Sequence, residues 1–214
     1  MRLRNVKNKE IIMNNSSYLI KDCYDLKGKW NKFFKNNNPI YIEIGMGKGK
    51  FIIENALKYP NINFIGIEKY DSVVAKALKK IPDGLDNLAM LRLNALEIDQ
   101  VFSHEIDHIF LNFSDPWPKT RHHLRRLSSK VFLEKYDNIF KDKKIIEMRT
   151  DNRNLFEYSL VSFSEYGYIL NNVSLDYHKD NSPDITTEYE DKFTKEGLPI
   201  YYVLCTSNLV KNRK

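Results

Sequence analysis

The chain has 214 residues, 42% of them apolar and 29% charged, and a formal net charge of +6; a single domain of that length buries roughly 70% of its unfolded surface. The composition excludes a disordered or membrane-embedded protein, since no stretch nears the ~20 consecutive apolar residues of a bilayer span. Two cysteines, Cys23 and Cys205, with no CxxC pair, exclude a disulfide framework and a zinc ribbon and suit a reducing cytoplasm.

In chain order, residues 1–25 read as a basic N-terminal arm, expected to be flexible because it is terminal and weakly apolar. Arg2, Arg4, Lys7 and Lys9 are followed by no long apolar run, so the segment does not read as a secretory leader. Residues 26–214 read as one domain. Apolar runs of strand length occur at Ile40–Ile44, Asn63–Ile67, Leu88–Leu93, Ile106–Phe113, Lys144–Met148, Ile169–Tyr177 and Ile200–Cys205. Between the first five lie helical faces: Phe51, Ile52, Asn55, Ala56 and Leu57; Val73, Val74, Ala77 and Leu78; Leu133, Tyr136 and Ile139. Strand and helix in alternation predict an α/β fold, Rossmann-like, with a seven-stranded mostly parallel sheet and helices on both faces. The polar stretch His178–Pro199 separates the last two strands and lets them pair antiparallel at one edge; a loop that long is more often functional than idle.

Charge is clustered. Met1 to Ile40 holds nine Lys/Arg against three Asp/Glu, Lys119 to Lys130 holds five against none, and Lys211, Arg213 and Lys214 close the chain. Such clusters are the footprint expected of a surface that meets phosphates.

Two constellations carry chemistry. In Glu43-Ile44-Gly45-Met46-Gly47-Lys48-Gly49-Lys50, three alternate glycines join the first strand to the first helix, where bare backbone lets a nucleotide-like ligand approach. The spacing is GxGxG, not the GxGxxG of dinucleotide folds, which disfavours NAD. Glu68 ends the second strand about 20 residues on, where a carboxylate can accept from ribose hydroxyls. Glu43 would crowd a pyrophosphate but suits a cationic, amino-bearing cofactor such as S-adenosylmethionine. Asn94, past the third strand, either holds an adenine amine or caps a turn, and by itself the cap is the more economical reading.

The second constellation is Asn112-Phe113-Ser114-Asp115-Pro116-Trp117-Pro118-Lys119. The prolines forbid the strand from continuing, so Asp115 sits just past a strand end, where α/β sheets bind ligands. Arg121, His122, His123, Arg125 and Arg126 follow as a candidate RNA grip. His104-Glu105-Ile106-Asp107-His108 spells HExxH, but that zinc chemistry needs both histidines on one helical face, and His108 falls within the fourth strand; no metal is expected. His178, at the start of the long loop, reads as a solvated side chain.

Asp115-Pro116-Trp117-Pro118-Lys119 with Arg121-His122 and Arg125-Arg126-Leu127, supported by Glu43-Ile44-Gly45, Gly66-Ile67-Glu68, Thr150-Asp151-Asn152 and Thr187-Glu188-Tyr189-Glu190, resembles the bacterial tRNA (guanine-N7)-methyltransferases, a class I S-adenosylmethionine-dependent family. The resemblance implies that Glu43, Gly45, Gly47, Gly49, Glu68, Asn94 and Asp115 line the cofactor pocket. It also implies that Lys119, Asp151 and Thr187 to Glu190 contact the guanine or its surroundings, and that Arg121 to Arg126 meets tRNA. Asn94, Thr120, Leu124 and Tyr202 depart from the family pattern, which bears on affinity more than activity.

Guanine N7 carries a lone pair and no proton, so its methylation needs alignment more than a base. On that chemistry Asp115 favours the cationic purine electrostatically, and Asp151 or Glu190 accepts from the guanine N1–H and amino group. Rival readings are a methyltransferase acting on an exocyclic amine, which Ser114-Asp115-Pro116-Trp117 partly matches, an NAD-dependent oxidoreductase, and a silent RNA-binding module. The sequence is compatible with a monomer or a homodimer and predicts no membrane partner.

Overall fold

The computed structural model describes residues 6–207; Arg2, Arg4, Lys211, Arg213 and Lys214, counted above among the clustered cations, lie outside them. In chain order the elements are α1 (Lys9–Asn15), α2 (Trp30–Phe34), β1 (Ile40–Ile44), α3 (Lys50–Lys58), β2 (Asn63–Glu68), α4 (Asp71–Leu78), β3 (Leu88–Arg92), α5 (Ile98–Val101), β4 (His108–Asn112), α6 (Lys130–Ile139), β5 (Lys144–Thr150), α7 (Arg153–Tyr166), β6 (Ile169–Ser174), α8 (Tyr177–Asp180), α9 (Glu188–Lys195) and β7 (Tyr201–Ser207). The strands form one sheet in the order β3-β2-β1-β4-β5-β7-β6. β1 to β5 pair in parallel, while β7 runs antiparallel to both β5 and β6. The reversed strand is therefore β7, set between β5 and the edge strand β6.

Alternation along the strands builds two cores. Ile40, Ile42, Ile44, Ile65 and Ile67 face α2, α5, α6 and α7 around the fully buried Trp30 and Tyr136. Phe64, Met90 and Phe110 face α3 and α4. A strand's side chains point to opposite faces in turn, so a parallel sheet covered on both sides needs apolar residues at nearly every position. Of the α3 face predicted above, Phe51, Ile52, Asn55 and Ala56 are buried, whereas Leu57 is 54% exposed. It turns about 100° past Ala56 at the helical pitch and leaves the buried arc, and Ile53 is buried in its stead.

Within residues 6–25, read above as a flexible arm, the chain forms α1, which packs on α4. Leu19 then bridges in parallel to Met90 of β3, and Leu19 and Cys23 are buried. Ile12 and Met13 of α1 and, ten residues beyond Lys9, Leu19 pack on the α3–α4 core and account for the docking.

The stretch 175–200 is not a plain loop. It carries α8 and α9, and its ends are tied by Tyr177 N–H donating to Ile200 O at 2.8 Å. α9 starts with a capping box in which Thr187 and Glu190 satisfy each other's backbone N–H groups. The HExxH residues do not share a helical face: His104 lies in a turn with φ 51° and His108 opens β4. Glu105 instead accepts from the N–H groups of Gly28, Trp30 and Ser103, fastening the turn before α2 to that before β4. Among the described residues no helix is long and apolar enough to cross a membrane.

Candidate active site at the carboxyl ends of β1 and β4

Strand order reverses between β1 and β4, and a cavity of about 980 Å³ opens beyond their carboxyl ends, at the topological switch point where α/β sheets take ligands. Its floor is the turn between β1 and α3. Gly45 and Gly47 adopt φ 82° and 57°, and a Cβ on either would meet nothing within 4 Å. These positions combine a left-handed backbone with open space for a ligand. Gly49 differs. It starts α3 at φ 77°, and a Cβ there would lie 3.1 Å from the Cβ of Ala77 and from Cδ1 of Ile53. Gly49 does not line the cavity; it permits α3 to pack on α4.

Glu43 is 2% exposed at the cavity wall. Asn112 Nδ2 donates to its Oε1 at 2.9 Å, while Glu43 Oε2 and Asn112 Oδ1 are buried with no hydrogen-bond partner among the described residues. Burial pushes the Glu43 carboxyl up to about 8, against the opposing pull of the Asn112 bond and the Arg149 charge. Two buried acceptors without donors suit a ligand rich in N–H groups. Glu68 stands at the end of β2, where burial raises its pKa, and its Oε1 accepts from the N–H groups of Lys69 and Tyr70. Asn94 lines the cavity too, and its Oδ1 caps the turn Ala95–Glu97 by accepting from Leu96 N–H.

The opposite wall is the corner after β4. Phe113 and Trp117 hold φ of 50° and 43°, a conformation that costs a bulky residue of order 1–3 kcal/mol and clusters at functional sites. Arg126 stabilises this corner: its Nε donates to Pro116 O at 3.0 Å, its Nη2 to Trp117 O at 3.2 Å, and its guanidinium lies 4.3 Å from the Tyr158 ring centroid. Arg126 is buried, so it does not belong to the RNA-facing set in which the sequence placed it; the guanidinium is consumed by backbone carbonyls. Asp115 is exposed at the cavity, as is Arg125, whose guanidinium sits 5.0 Å from the Trp117 ring centroid. Lys119 and Arg121 are exposed outside the lining, and His122 and His123 are half-buried around the 3₁₀ turn Thr120–Arg125, His122 edge-on to Trp117 and His123 bonded to Thr120 O.

The start of α9 forms the third wall. Thr187, Glu188 and Tyr189 line the cavity. Lys48 and Lys80 both pair with Glu188 and, despite partial burial, hold its carboxyl below the usual range. Glu190 points the other way. It is fully buried, paired with Arg149 at 3.2 Å, bonded to His178 Nε2 at 2.9 Å, and committed to the Thr187 capping box. Its oxygens are occupied, so it does not face the guanine as one of the two acceptors expected above, and His178 is its partner rather than a solvated side chain. Asp151 is exposed just beyond β5 and does not line the cavity.

Sequence reasoning missed Asn112 and Arg149. Asn112 was signalled by its place at the end of the apolar run Ile109-Phe110-Leu111, since a polar group is buried only with a partner, whereas β5 carries Lys144, Glu147 and Thr150 as well and gives Arg149 no such signal.

A family model described as a putative methyltransferase matches residues 37–203. A tRNA (guanine-N(7)-)-methyltransferase of Geobacillus sp. (strain WCH70) is 51% identical over 205 residues, covering 94% of this chain and 93% of the relative. A protein of the same name from Bacillus subtilis (strain 168) is 48% identical over 195 residues, covering 90% and 92%. Among solved structures, an antibiotic-related methyltransferase superposes with a TM-score of 0.65 at 19% identity, covering 89% of this chain and 96% of that one. A 16S rRNA methyltransferase gives 0.64 at 12%, covering 85% and 93%. At those identities the structures speak for the fold alone, and the fold is that of methyltransferases.

Proposed function

The chain belongs to the tRNA (guanine-N(7)-)-methyltransferase family, and from that premise we propose that it transfers the methyl group of S-adenosylmethionine to N7 of a guanine in tRNA, giving 7-methylguanosine. The observation that carries the cofactor assignment is the pair of buried acceptors, Glu43 Oε2 and Asn112 Oδ1, with no donor among the described residues. An α-ammonium group has the N–H donors and the positive charge this pair lacks. Gly45 and Gly47 leave the backbone open beside it, and Glu68 offers carboxylate oxygen to ribose hydroxyls.

S-adenosylmethionine supplies, when bound, a methyl carbon made electrophilic by its sulfonium. The residues of this chain then have one main task, which is alignment. Guanine N7 brings its own lone pair and releases no proton, so no general base is required of them. Holding the reacting atoms about 3–3.5 Å apart in line can supply about 7–11 kcal/mol of the barrier. The strained Phe113 and Trp117, held by Arg126, fix the wall on which the base rests. Asp115, at the rim of that wall, favours the positive charge that develops on the purine. Lys119 and Asp151, both exposed and outside the lining, are the remaining groups for the guanine edge, and Arg121 with Arg125 meets the tRNA phosphates. A tRNA substrate agrees with a cytoplasmic setting.

The test is incubation of the purified protein with labelled S-adenosylmethionine and unmodified tRNA, followed by digestion to nucleosides. Label in 7-methylguanosine is expected. Label in an N-methylated exocyclic amine instead would overturn the proposed acceptor atom, and absence of any labelled nucleoside would overturn the transfer itself.

A further inference from the structure

A second cavity of about 360 Å³ lies on the α3 face of the sheet, beneath residues 183–185 of the stretch that follows α8. Phe51 is the one residue common to its lining and that of the large cavity. Its walls are aromatic, with Tyr41, Phe64, Phe110 and Tyr177 around it. Besides Asn55, which donates to Phe51 O, and Asp184, which accepts from Lys58, three polar groups line it. His108 Nε2 is buried without a hydrogen-bond partner among the described residues, and so is Arg149 Nε. Glu147 is the third; its Oε1 accepts from Arg149 Nη2 at 3.0 Å, and its Oε2 stands 3.8 Å from His108 Nε2, beyond hydrogen-bond reach.

Each feature narrows the ligand. Buried polar groups left unpaired are destabilising, so a molecule that pairs His108 and Arg149 gains more than its apolar contact. Arg149 is already matched by Glu147 and Glu190, two carboxylates against one guanidinium, and burial holds the His108 imidazole neutral by pushing its pKa down to about 3. That balance disfavours a phosphate or carboxylate ligand. Aromatic walls favour a flat one, and the volume, at the low end for ligand sites, limits it to a single heterocycle. An Arg N–H next to a carboxylate matches an edge carrying a carbonyl or ring nitrogen beside an N–H.

We propose that this second cavity binds a neutral purine-type base through its donor–acceptor edge, at a site separate from the methyl-transfer cavity. The base can come from a free nucleoside or from a nucleotide of an RNA chain. The chemistry on the cavity side is the same for both.

Guanosine titrated by calorimetry, with nitrogen NMR of the His108 ring followed in the wild-type protein, tests it. Saturable binding is expected, with a shift of the His108 Nε2 signal, at least tenfold weaker affinity in His108→Phe, and unchanged affinity in Asp115→Asn. Guanosine 5′-monophosphate should bind more weakly than guanosine. An unstructured guanosine-containing oligonucleotide with the same dependence on His108 would identify RNA as the source, and binding of the nucleoside alone would identify the free compound. No saturable binding up to millimolar guanosine, an unmoved His108 signal, or binding lost in Asp115→Asn and kept in His108→Phe would overturn the proposal. The NMR arm holds whether or not the His108→Phe protein folds.

Discussion

Asn112 donates to Glu43 at 2.9 Å across the β1–β4 boundary, and the bond leaves one acceptor oxygen on each residue buried without a donor among the described residues. The pair couples cofactor binding to pH. Glu43 titrates near 8 because burial disfavours its charge, yet a cationic amino group needs that charge present. Affinity for S-adenosylmethionine should therefore rise with pH toward 8, by at most about tenfold per unit, and fall above it, where an α-ammonium group of ordinary pKa about 8 loses its own proton. In Glu43→Gln the rise should vanish, as equilibrium dialysis between pH 6 and 9 would show.

The stability of the unliganded protein should move the opposite way. A carboxyl whose folded pKa is raised contributes stability that is full below its unfolded pKa and lost as pH rises through the folded one. Between about pH 4.5 and 8 the wild-type protein should lose stability relative to Glu43→Gln. Paired thermal melts at pH 5 and pH 9 would reveal a gap that opens in favour of the variant at the higher pH.

Arg126→Ala should unfasten the corner after β4. Pro116 O and Trp117 O lose their donors, a cost of about 1–3 kcal/mol, and the left-handed Trp117 is freed to relax. Methyl transfer at saturating tRNA should fall at least tenfold, with Arg126→Lys restoring only part, since an ammonium does not present two N–H groups in a fixed fork. Denaturant titration and single-turnover rates would check both.

The basic residues should divide by salt dependence. Arg121→Ala and Arg125→Ala, both exposed, should each lower the slope of log tRNA affinity against log salt by about 0.7–0.9, the value of one phosphate contact. Arg126→Ala should leave that slope unchanged. Filter binding over a range of salt concentrations separates the groups.

Glu190→Ala should destabilise the protein by about 3 kcal/mol, the low end for breaking a buried pair, because Glu147 still neutralises Arg149. Activity should fall along with the folded fraction, as comparison of chemical denaturation with turnover would show.

Most of the sheet was legible because β1 to β4 are largely apolar runs, and strand periodicity survives even where a boundary slips, as at Ile106, which forms only an isolated bridge to Phe140 before β4 begins; β5 and β6 mix polar residues into the run. The glycine turn and Asp115 were legible because spacing fixes them to strand ends. Arg126 was not: five cations in one stretch look alike in sequence, and which of them turns inward depends on the carbonyls freed by two prolines. Glu190 misled for a related reason. Thr-x-x-Glu is a capping box wherever a helix starts, and nothing local says that a buried arginine from another strand will claim the same carboxylate. The helix α9 itself was hidden in a stretch too polar to show a strong apolar face.

The tie between Tyr177 N–H and Ile200 O closes the base of the segment that supplies Thr187, Glu188 and Tyr189 to the cavity. A loop with joined ends adds or drops residues at little entropic cost, each doubling in length costing only about 0.6 kcal/mol, and β6 and β7 remain paired whatever lies between. The tied segment is also pinned from within, by Glu190 to the buried Arg149 and by Glu188 to Lys48 and Lys80, while the glycine turn and the Glu43–Asn112 pair are fixed in the sheet. A loop of another length is therefore tolerated there only if it still presents a carboxylate to the buried Arg149.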